Sequence, residues 1–332
     1  MYLELVSNLQ GQKKTIWTSF LNRLGLEADP LAEQTALLWE EEQLIGAASR
    51  QGNLLKCIGV APSFRGQDLT ATLVTALRKE AFQAGEQHLF LYTKPENQTL
   101  FAPLFFYPVA KTSQVLLMES KRDGLYKFLG QIAPAHTPSG TVGCAVMNCN
   151  PFTLGHRHLV ETAASECDQV YIFVLSEDKS RFAASDRLEM VRLGTRDLPG
   201  VTVLPTGPYL ISAATFPTYF LKDRETAGEA HCMLDLEIFA RYFAPAFSIT
   251  RRYVGTEELS PLTARYNQAL KAYLPERGIS VREIPRLRSE DTPVSASRVR
   301  TLLDSGHETA LHSLVPQTTL DYLQTKGLLT KS

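Results

Sequence analysis

The sequence predicts an α/β protein whose second half is a doubly wound parallel sheet and whose first half is a separate domain of strands and helices. In residues 141–332, apolar runs of strand length alternate with helical patterns, an order typical of parallel sheets covered by helices. Residues 133–140, Ala-Pro-Ala-His-Thr-Pro-Ser-Gly, have the composition of a linker. The length of 332 residues also favours two domains. We therefore expect one domain at 1–132 and another at 141–332.

The overall composition argues against several classes of protein. A formal net charge of -1 provides no basic field for nucleic acid. No apolar run is long enough to span a membrane, and the first residues lack the basic and apolar regions of a signal peptide. The cysteines are odd in number and none form Cys-x-x-Cys, so we expect reduced thiols in a cytoplasmic protein. They are Cys57, Cys144, Cys149, Cys167 and Cys232.

Local patterns predict the elements of the first half. Residues 12–25 place apolar side chains on one face of a helix, a second helix begins near Leu69, and a third opens at Asn97. Apolar and β-branched runs between them indicate strands. The predicted strands are Thr35–Trp39, Leu44–Ala48, Leu54–Val60, His88–Thr93 and Ser113–Met118, and a short helix follows over Asp123–Ile132.

This order of elements resembles the GNAT acetyltransferase fold over about residues 1–120, so we expect an α+β acyltransferase-like domain. In that family a strand ends in Val-x-Pro-x-x-Arg-Gly-x-Gly-x-Gly/Ala, and its backbone amides hold the pyrophosphate of coenzyme A. The residues that match are Val60, Pro62, Arg65 and Gly66. Asp68 and Thr70 stand where the family has small residues, and a carboxylate there repels phosphate. The domain is therefore expected to keep the fold without acetyl transfer.

The second half alternates strands and helices. Its predicted strands are Thr141–Met147, Gln169–Leu175, Val201–Leu204, Ile249–Val254 and Val281–Ile284, and its predicted helices cover 155–167, 185–195, 215–223, 232–243 and 261–274. Ligands of such sheets bind outside the carboxyl ends of the strands. Residues 148–156 follow the first strand and therefore lie at that end.

The stretch 142–156 organises this half. An apolar strand ends in Asn-Pro, Thr153-Leu154-Gly155-His156 follows, and a helical pattern begins. The backbone N–H groups and dipole of a helix N-terminus favour an anion. Gly155 leaves room for a nucleotide, Thr153 offers a hydroxyl, and His156 can donate to a phosphoryl oxygen. The alternative is a chance loop in which His156 merely caps the helix.

A second stretch, Val294-Ser295-Ala296-Ser297-Arg298-Val299-Arg300, begins a late helix. Ser295 or Ser297 would cap that helix in any case. In the functional interpretation its N-terminus faces the β- and γ-phosphates, and Arg300 counters their charge.

Together these stretches resemble the T/HxGH nucleotidyltransferase superfamily, which combines Thr-x-Gly-His with a late Ile-Ser-Ser-Thr-x-x-Arg signature. Ala296 replaces one hydroxyl of that signature. The resemblance implies a Rossmann-like fold and an ATP site formed by Asn148, Pro151, Phe152, Thr153, Gly155, His156, Ser295, Ser297 and Arg300. It also matches Lys179 and Arg187 to a basic residue and an arginine after the second strand. Lys179 would join His156 in catalysis or lie in a solvated loop, and Arg187 would contact substrate or anchor the site wall.

Residues 209–222, Tyr-Leu-Ile-Ser-Ala-Ala-Thr-Phe-Pro-Thr-Tyr-Phe-Leu-Lys, follow the third strand. Ser212, Thr215 and Lys222 are candidates for contact with an anionic substrate. An aromatic helix packed on the sheet is the alternative for the rest of the stretch.

This string, with Arg-Tyr-Val-Gly-x-Glu at 252–257 and Tyr266-Asn267, resembles the citrate lyase ligase family over nearly the whole chain. The resemblance implies that ATP activates acetate as acetyl adenylate and that a thiol then releases AMP. It also implies Mg²⁺ bound mainly through phosphates, no dedicated metal ligands, and the CoA-like group on the acyl carrier subunit of citrate lyase as acceptor. Two other classes remain open: a pantetheine-phosphate or nicotinamide-mononucleotide adenylyltransferase, and a non-catalytic CoA- or nucleotide-sensing protein.

Overall fold

The computed structural model describes residues 1–177, 180–211, 216–221, 224–258 and 260–329. It divides into two compact units, one of residues 1–127 and 216–237 and one of residues 128–215 and 238–332. The domain boundaries expected from the sequence stay a prediction. The compact units differ from the expected domains in two places. Residues 128–132 belong to the second unit, and residues 216–237 belong to the first.

The first unit is built on a seven-stranded sheet in the order β1-β2-β3-β4-β5-β7-β6, in which only β4 and β5 are parallel neighbours. The strands are β1 (Tyr2–Ser7), β2 (Gln34–Glu40), β3 (Gln43–Gln51), β4 (Leu54–Val60), β5 (Phe90–Thr93), β6 (Tyr107–Lys111) and β7 (Leu116–Glu119). Pro108 lies in β6, an edge strand, where the missing N–H is tolerated.

The pairing of β4 with β5 stops after Leu54–Leu55 and Phe90–Leu91, although both strands continue. Tyr219 fills the space beyond. Its hydroxyl donates to the Tyr92 carbonyl at 2.8 Å and accepts from the backbone N–H of Cys57. The ring is only 7% exposed. Phe216, Tyr219 and Phe220 are thus buried within the first unit.

The second unit contains a five-stranded sheet in the order β10-β9-β8-β11-β12, with every pair parallel. The strands are β8 (Val142–Met147), β9 (Gln169–Val174), β10 (Val201–Pro205), β11 (Arg251–Gly255) and β12 (Ser280–Ile284); β13 (Arg288–Ser289) and β14 (Thr292–Pro293) form a separate hairpin. The parallel sheet confirms the fold class predicted for this half. The strand order reverses direction between β8 and β11.

The helices of the two units complete the layers. They are α1 (Gly11–Arg23), α2 (Leu69–Gln83), α3 (Gln98–Phe101), α4 (Gly124–Ile132), α5 (Leu154–Glu166), α6 (Ala184–Thr195), α7 (Arg224–Ile238), α8 (Ala244–Ala246), α9 (Pro261–Tyr273), α10 (Ala296–Asp304) and α11 (Gln317–Thr325). In β9, Ile172 packs in the core with α5 and α6, whereas its neighbours Tyr171 and Phe173 contact Phe247 and Phe243. Both faces of the sheet are therefore covered, and the central strands are apolar on both sides.

One predicted helix, 215–223, is wrong for the part that can be described. Residues 216–221 contain two bends and one turn but no helix, and α7 begins at Arg224, eight residues before the start expected at 232. The aromatic spacing of Phe216, Tyr219 and Phe220 reflects their burial in the first unit rather than one helical face. The N-terminal strand β1 was not expected, because four of its six residues are exposed and it lies at a sheet edge.

Candidate functional site

A cavity of about 430 Å³ opens at the carboxyl ends of the parallel strands, beside the point where the strand order reverses. Three segments that follow β8, β11 and β12 contribute to its wall, together with the N-termini of α5 and α10. Of the predicted ATP-binding residues, it is lined by Asn148, Thr153, Gly155, His156, Ser295 and Ser297. The two signatures, distant in sequence, are therefore brought together.

Thr153 and His156 cap α5 reciprocally. The Thr153 hydroxyl accepts from the His156 backbone N–H at 3.3 Å, and His156 Nδ1 accepts from the Thr153 backbone N–H at 3.0 Å. Here histidine takes the place that glutamate or glutamine has in the usual capping box. Capping and a catalytic role are therefore compatible, because capping uses only one of the two ring nitrogens.

The same bond determines the protonation state of His156. Because Nδ1 accepts a hydrogen bond, the neutral ring carries its proton on Nε2. Burial, together with the smaller effect of the nearby Arg286 charge, lowers the pKa of His156 to about 4. Phe152, which is fully buried, stacks on the imidazole with ring centroids 5.9 Å apart. His156 is thus a fixed neutral donor at neutral pH.

Ser295 caps α10, since its hydroxyl accepts from the Arg298 backbone N–H at 3.2 Å. The two capped helix ends meet closely: a Cβ on Gly155 would lie 3.2 Å from the Val294 carbonyl oxygen. Arg300 links them, donating from Nη1 to the Asn150 carbonyl at 2.7 Å and from Nη2 to Ser297 Oγ at 3.0 Å. Two helix N-termini therefore share one cavity, with their dipoles adding to its affinity for anions.

Arg187 lies fully buried in the wall behind the cavity. Its guanidinium donates to the carbonyls of Asn148 (2.9 Å), Leu175 (2.8 Å) and Phe182 (3.1 Å), to that of Glu177, and to Asn148 Oδ1 (2.6 Å). These bonds join the loops after β8 and β9, so the contacts agree with the anchoring alternative. Substrate contact by Arg187 stays a prediction.

Four predicted residues lie outside the described part of the chain: Lys179, Ser212, Thr215 and Lys222. Pro151 and Phe152 are buried, and they stand beside the cavity without lining it. Burial also raises the pKa of the Cys149 thiol, which favours the core role over a reactive one. Within the described residues, no group of three or more His, Cys, Asp or Glu side chains is arranged to hold a metal ion.

Two further residues of the cavity lining, Arg286 and Glu257, were given no role in the site from the sequence. Arg286 follows β12 and Glu257 follows β11, and their side chains form an ion pair. Asn267 Nδ2 donates to the Gly255 carbonyl at 2.9 Å and fixes the end of β11. The signal available in the sequence was an arginine placed two residues after a predicted strand, at the end of the sheet where ligands bind.

The loop compared with a coenzyme A site lies at the N-terminus of α2, in the first unit. Arg65, Gly66, Asp68 and Thr70 line a separate cavity of about 720 Å³. Asp68 adopts φ 53° at the N-cap position and its side chain makes no capping hydrogen bond. Its carboxylate is exposed beside the cavity, and this geometry leaves the predicted phosphate repulsion in place.

No helix in the described ranges is both long and apolar enough to cross a membrane. Comparisons with known proteins find a different family profile for each half of the chain. The profile of the citrate lyase ligase C-terminal domain matches residues 142–323. That of the acetyltransferase (GNAT) family matches residues 10–102, which confirms the GNAT-like fold expected for the first half.

Curated relatives match across both halves. The citrate (pro-3S)-lyase ligase of Klebsiella pneumoniae is 43% identical over 91% of this chain and 89% of its own length. The Escherichia coli K12 protein of that name is 39% identical over 96% of this chain and 92% of its own length. The Haemophilus influenzae protein is 37% identical over 98% of this chain and 99% of its own length. The solved structure of Escherichia coli ElaA covers 36% of this chain and 99% of its own, with 12% identity and a TM-score of 0.33. By its relatives and its C-terminal domain, the chain belongs to the citrate lyase ligase family.

Proposed function

We propose that the chain is an AMP-forming acid–thiol ligase that activates acetate with ATP and acetylates the thiol of the CoA-like group on the acyl carrier subunit of citrate lyase. The observation that carries the proposal is that His156, whose Nδ1 accepts from the Thr153 N–H, lines one cavity together with two helix N-termini. Membership of the family supports the choice of citrate lyase as the protein acted upon. A cytoplasmic setting would keep the cysteine thiols and the acceptor thiol reduced.

In the first step an acetate oxygen attacks the α-phosphorus of ATP, the bond to the bridging oxygen breaks, and pyrophosphate leaves. Adenylyl transfer of this kind depends on in-line positioning and on stabilising charge at the phosphorus oxygens. His156 would donate from Nε2 to a phosphoryl oxygen without changing its protonation state. Ser295, Ser297 and the N-terminus of α10 would hold the departing phosphates.

In the second step the acceptor sulfur attacks the acyl carbon of acetyl adenylate, the thiol proton is lost to solvent, and AMP leaves. The balance is acetate, ATP and thiol giving thioester, AMP and pyrophosphate. Mg²⁺ would enter with ATP and bind mainly through phosphate oxygens, as Mg²⁺ commonly does. Lys179, Ser212, Thr215 and Lys222 remain candidates for the remaining substrate contacts.

The two alternatives predict other substrates. A cofactor adenylyltransferase would release pyrophosphate with phosphopantetheine or nicotinamide mononucleotide, and a sensing protein would release none. Family membership favours neither. The decisive assay measures pyrophosphate release by the full chain from ATP and Mg²⁺ with acetate, with phosphopantetheine and with nicotinamide mononucleotide. We expect release with acetate alone, and release with either of the others instead would refute the proposal.

Substitution at His156 tests the catalytic role within that assay. His156→Gln keeps a side-chain acceptor for the Thr153 N–H, so α5 should stay capped. Loss of one transition-state donor should lower acetate-dependent pyrophosphate release roughly 10²- to 10³-fold. His136→Ala, at an exposed linker position, is the matched control and should leave the rate unchanged. Near-normal turnover of His156→Gln would remove His156 from catalysis.

A further inference from the structure

Arg286 lines the same cavity as the two signatures. It follows the last strand, β12, and its surroundings come from the neighbouring strand end after β11. Its backbone N–H donates to Thr256 Oγ1 at 3.1 Å, and its Nε donates to the Thr256 carbonyl at 2.7 Å. The main chain and the guanidinium are thus both fixed by one residue.

Glu257 completes the support. Its carboxylate accepts from Arg286 Nη2 and also from the Ser260 backbone N–H at 2.9 Å. The Glu257 side chain is 7% exposed and that of Arg286 23%. A buried carboxylate with a second hydrogen bond is a rigid partner, so the guanidinium is held in one orientation before any ligand arrives.

This arrangement leaves one edge of the guanidinium unused. Nε and Nη2 are engaged, whereas no acceptor for Nη1 occurs among the residues that the structure describes. Arg286 and His156 line the same cavity and lie close enough for the charge of one to act on the other. The cavity is thus lined by an arginine as well as by two helix N-termini, and each of these favours an anionic ligand.

We propose that Arg286 binds phosphoryl oxygens of the nucleoside triphosphate through Nη1, with Glu257 as its positioning residue. The inference rests on the proposed function, since it assumes that ATP occupies this cavity. It adds a cationic contact at the β11–β12 wall to those predicted from the sequence at Arg300 and Lys179. The carboxylate of the acid substrate is the competing ligand, and the test separates the two.

The experiment compares Arg286→Gln with Arg288→Gln in the full chain. Arg288 is the matched control, because it pairs with Glu258 at 2.8 Å on the surface and is half-exposed. The readouts are the Kd of ATP by calorimetry and the separate KM values for ATP and acetate in pyrophosphate release. We expect Arg286→Gln to weaken ATP binding roughly 10- to 100-fold, as for loss of a charged hydrogen bond. Acetate KM should change little, and Arg288→Gln should behave as wild type.

Two further variants separate loss of a contact with ATP from loss of stability. Arg286→Gln leaves the Glu257 carboxylate buried without its cation, so the double variant with Glu257→Gln restores a neutral pair and should recover thermal stability without recovering ATP affinity. Glu257→Gln alone should weaken ATP binding less than Arg286→Gln.

The outcomes are distinguishable. Unchanged ATP affinity in Arg286→Gln, or a rise in acetate KM alone, would overturn the assignment of Arg286. Recovery of ATP affinity together with stability in the double variant would reduce Arg286 to a structural residue. Failure of the wild-type chain to bind ATP would instead overturn the proposed function itself.

Discussion

Gly155→Ala tests the close approach of α5 and α10. The added Cβ would lie 3.2 Å from the Val294 carbonyl oxygen and 3.6 Å from Thr153 Oγ1, whereas ordinary contact begins at 3.4 Å. The two helix ends must therefore separate by at least about 0.2 Å. Alanine is favoured over glycine inside a helix by about 1 kcal/mol, which offsets the strain of this small shift. We expect a melting temperature within about 3 °C of wild type.

Activity should respond more than stability. A misplacement of about 1 Å can lower a rate about 10²-fold, so a shift of about 0.2 to 0.4 Å corresponds to roughly a 3- to 6-fold loss. The assay is kcat/KM for ATP in acetate-dependent pyrophosphate release, alongside thermal melting. Gly130→Ala is the control, because Gly130 lies in α4 and its Cβ would meet nothing within 4 Å. It should gain stability and keep full activity.

Two results would refute this reasoning. Unchanged kcat/KM in Gly155→Ala would mean that the spacing of the two helix ends does not matter for the nucleotide. A fall in melting temperature of more than about 10 °C would mean that the helices cannot yield, and that Gly155 serves packing rather than the ligand.

Two other predictions concern buried polar groups. Arg187→Met should lower the free energy of unfolding by about 3 kcal/mol or more, because the carbonyls of Asn148, Leu175 and Phe182 lose their donor. Denaturant-induced unfolding measures this change. A larger effect on the KM for acetate than on stability would instead indicate that Arg187 contacts substrate. The His156 ring should titrate near pH 4 by NMR. Because the ring in the unfolded chain binds its proton near pH 6.5, the free energy of unfolding should fall as pH drops from about 6.5 to about 4 and stay level above pH 6.5. A ring that titrates near pH 6.5 in the folded protein would contradict the buried, neutral assignment.

The parts of the site that were predictable from the sequence are those whose geometry is local. Thr153 and His156 lie within one strand–loop–helix segment, and Ser295 begins a helix, so spacing alone indicated which backbone amides face a ligand. The order of the strands then brings both helix ends to one edge of a parallel sheet. Alternation of elements was enough to anticipate that sheet.

The remaining features depend on contacts between distant segments. Arg286 gains its orientation from Thr256 and Glu257 only because β12 pairs with β11 in a particular register, which no spacing in the sequence reveals. The burial of Tyr219 in the first unit likewise has no local signal. Its aromatic neighbours have the pattern of a helix face, and tertiary packing overrides that pattern.

The membership of residues 216–237 in the first unit affects how the chain is made. During synthesis, residues 1–127 leave the ribosome long before the segment that carries Tyr219. Until that segment arrives, the gap between β4 and β5 lacks the side chain that fills it, and apolar surface stays exposed to aggregation or to chaperones. A cut in the linker at 133–140 would make this state permanent, since the two halves would then carry pieces of one core. The chain must therefore be made as far as residue 237 of 332 before its first unit can finish folding. Separate expression of the two halves would produce poorly soluble fragments, whose lack of activity would say nothing about the reaction.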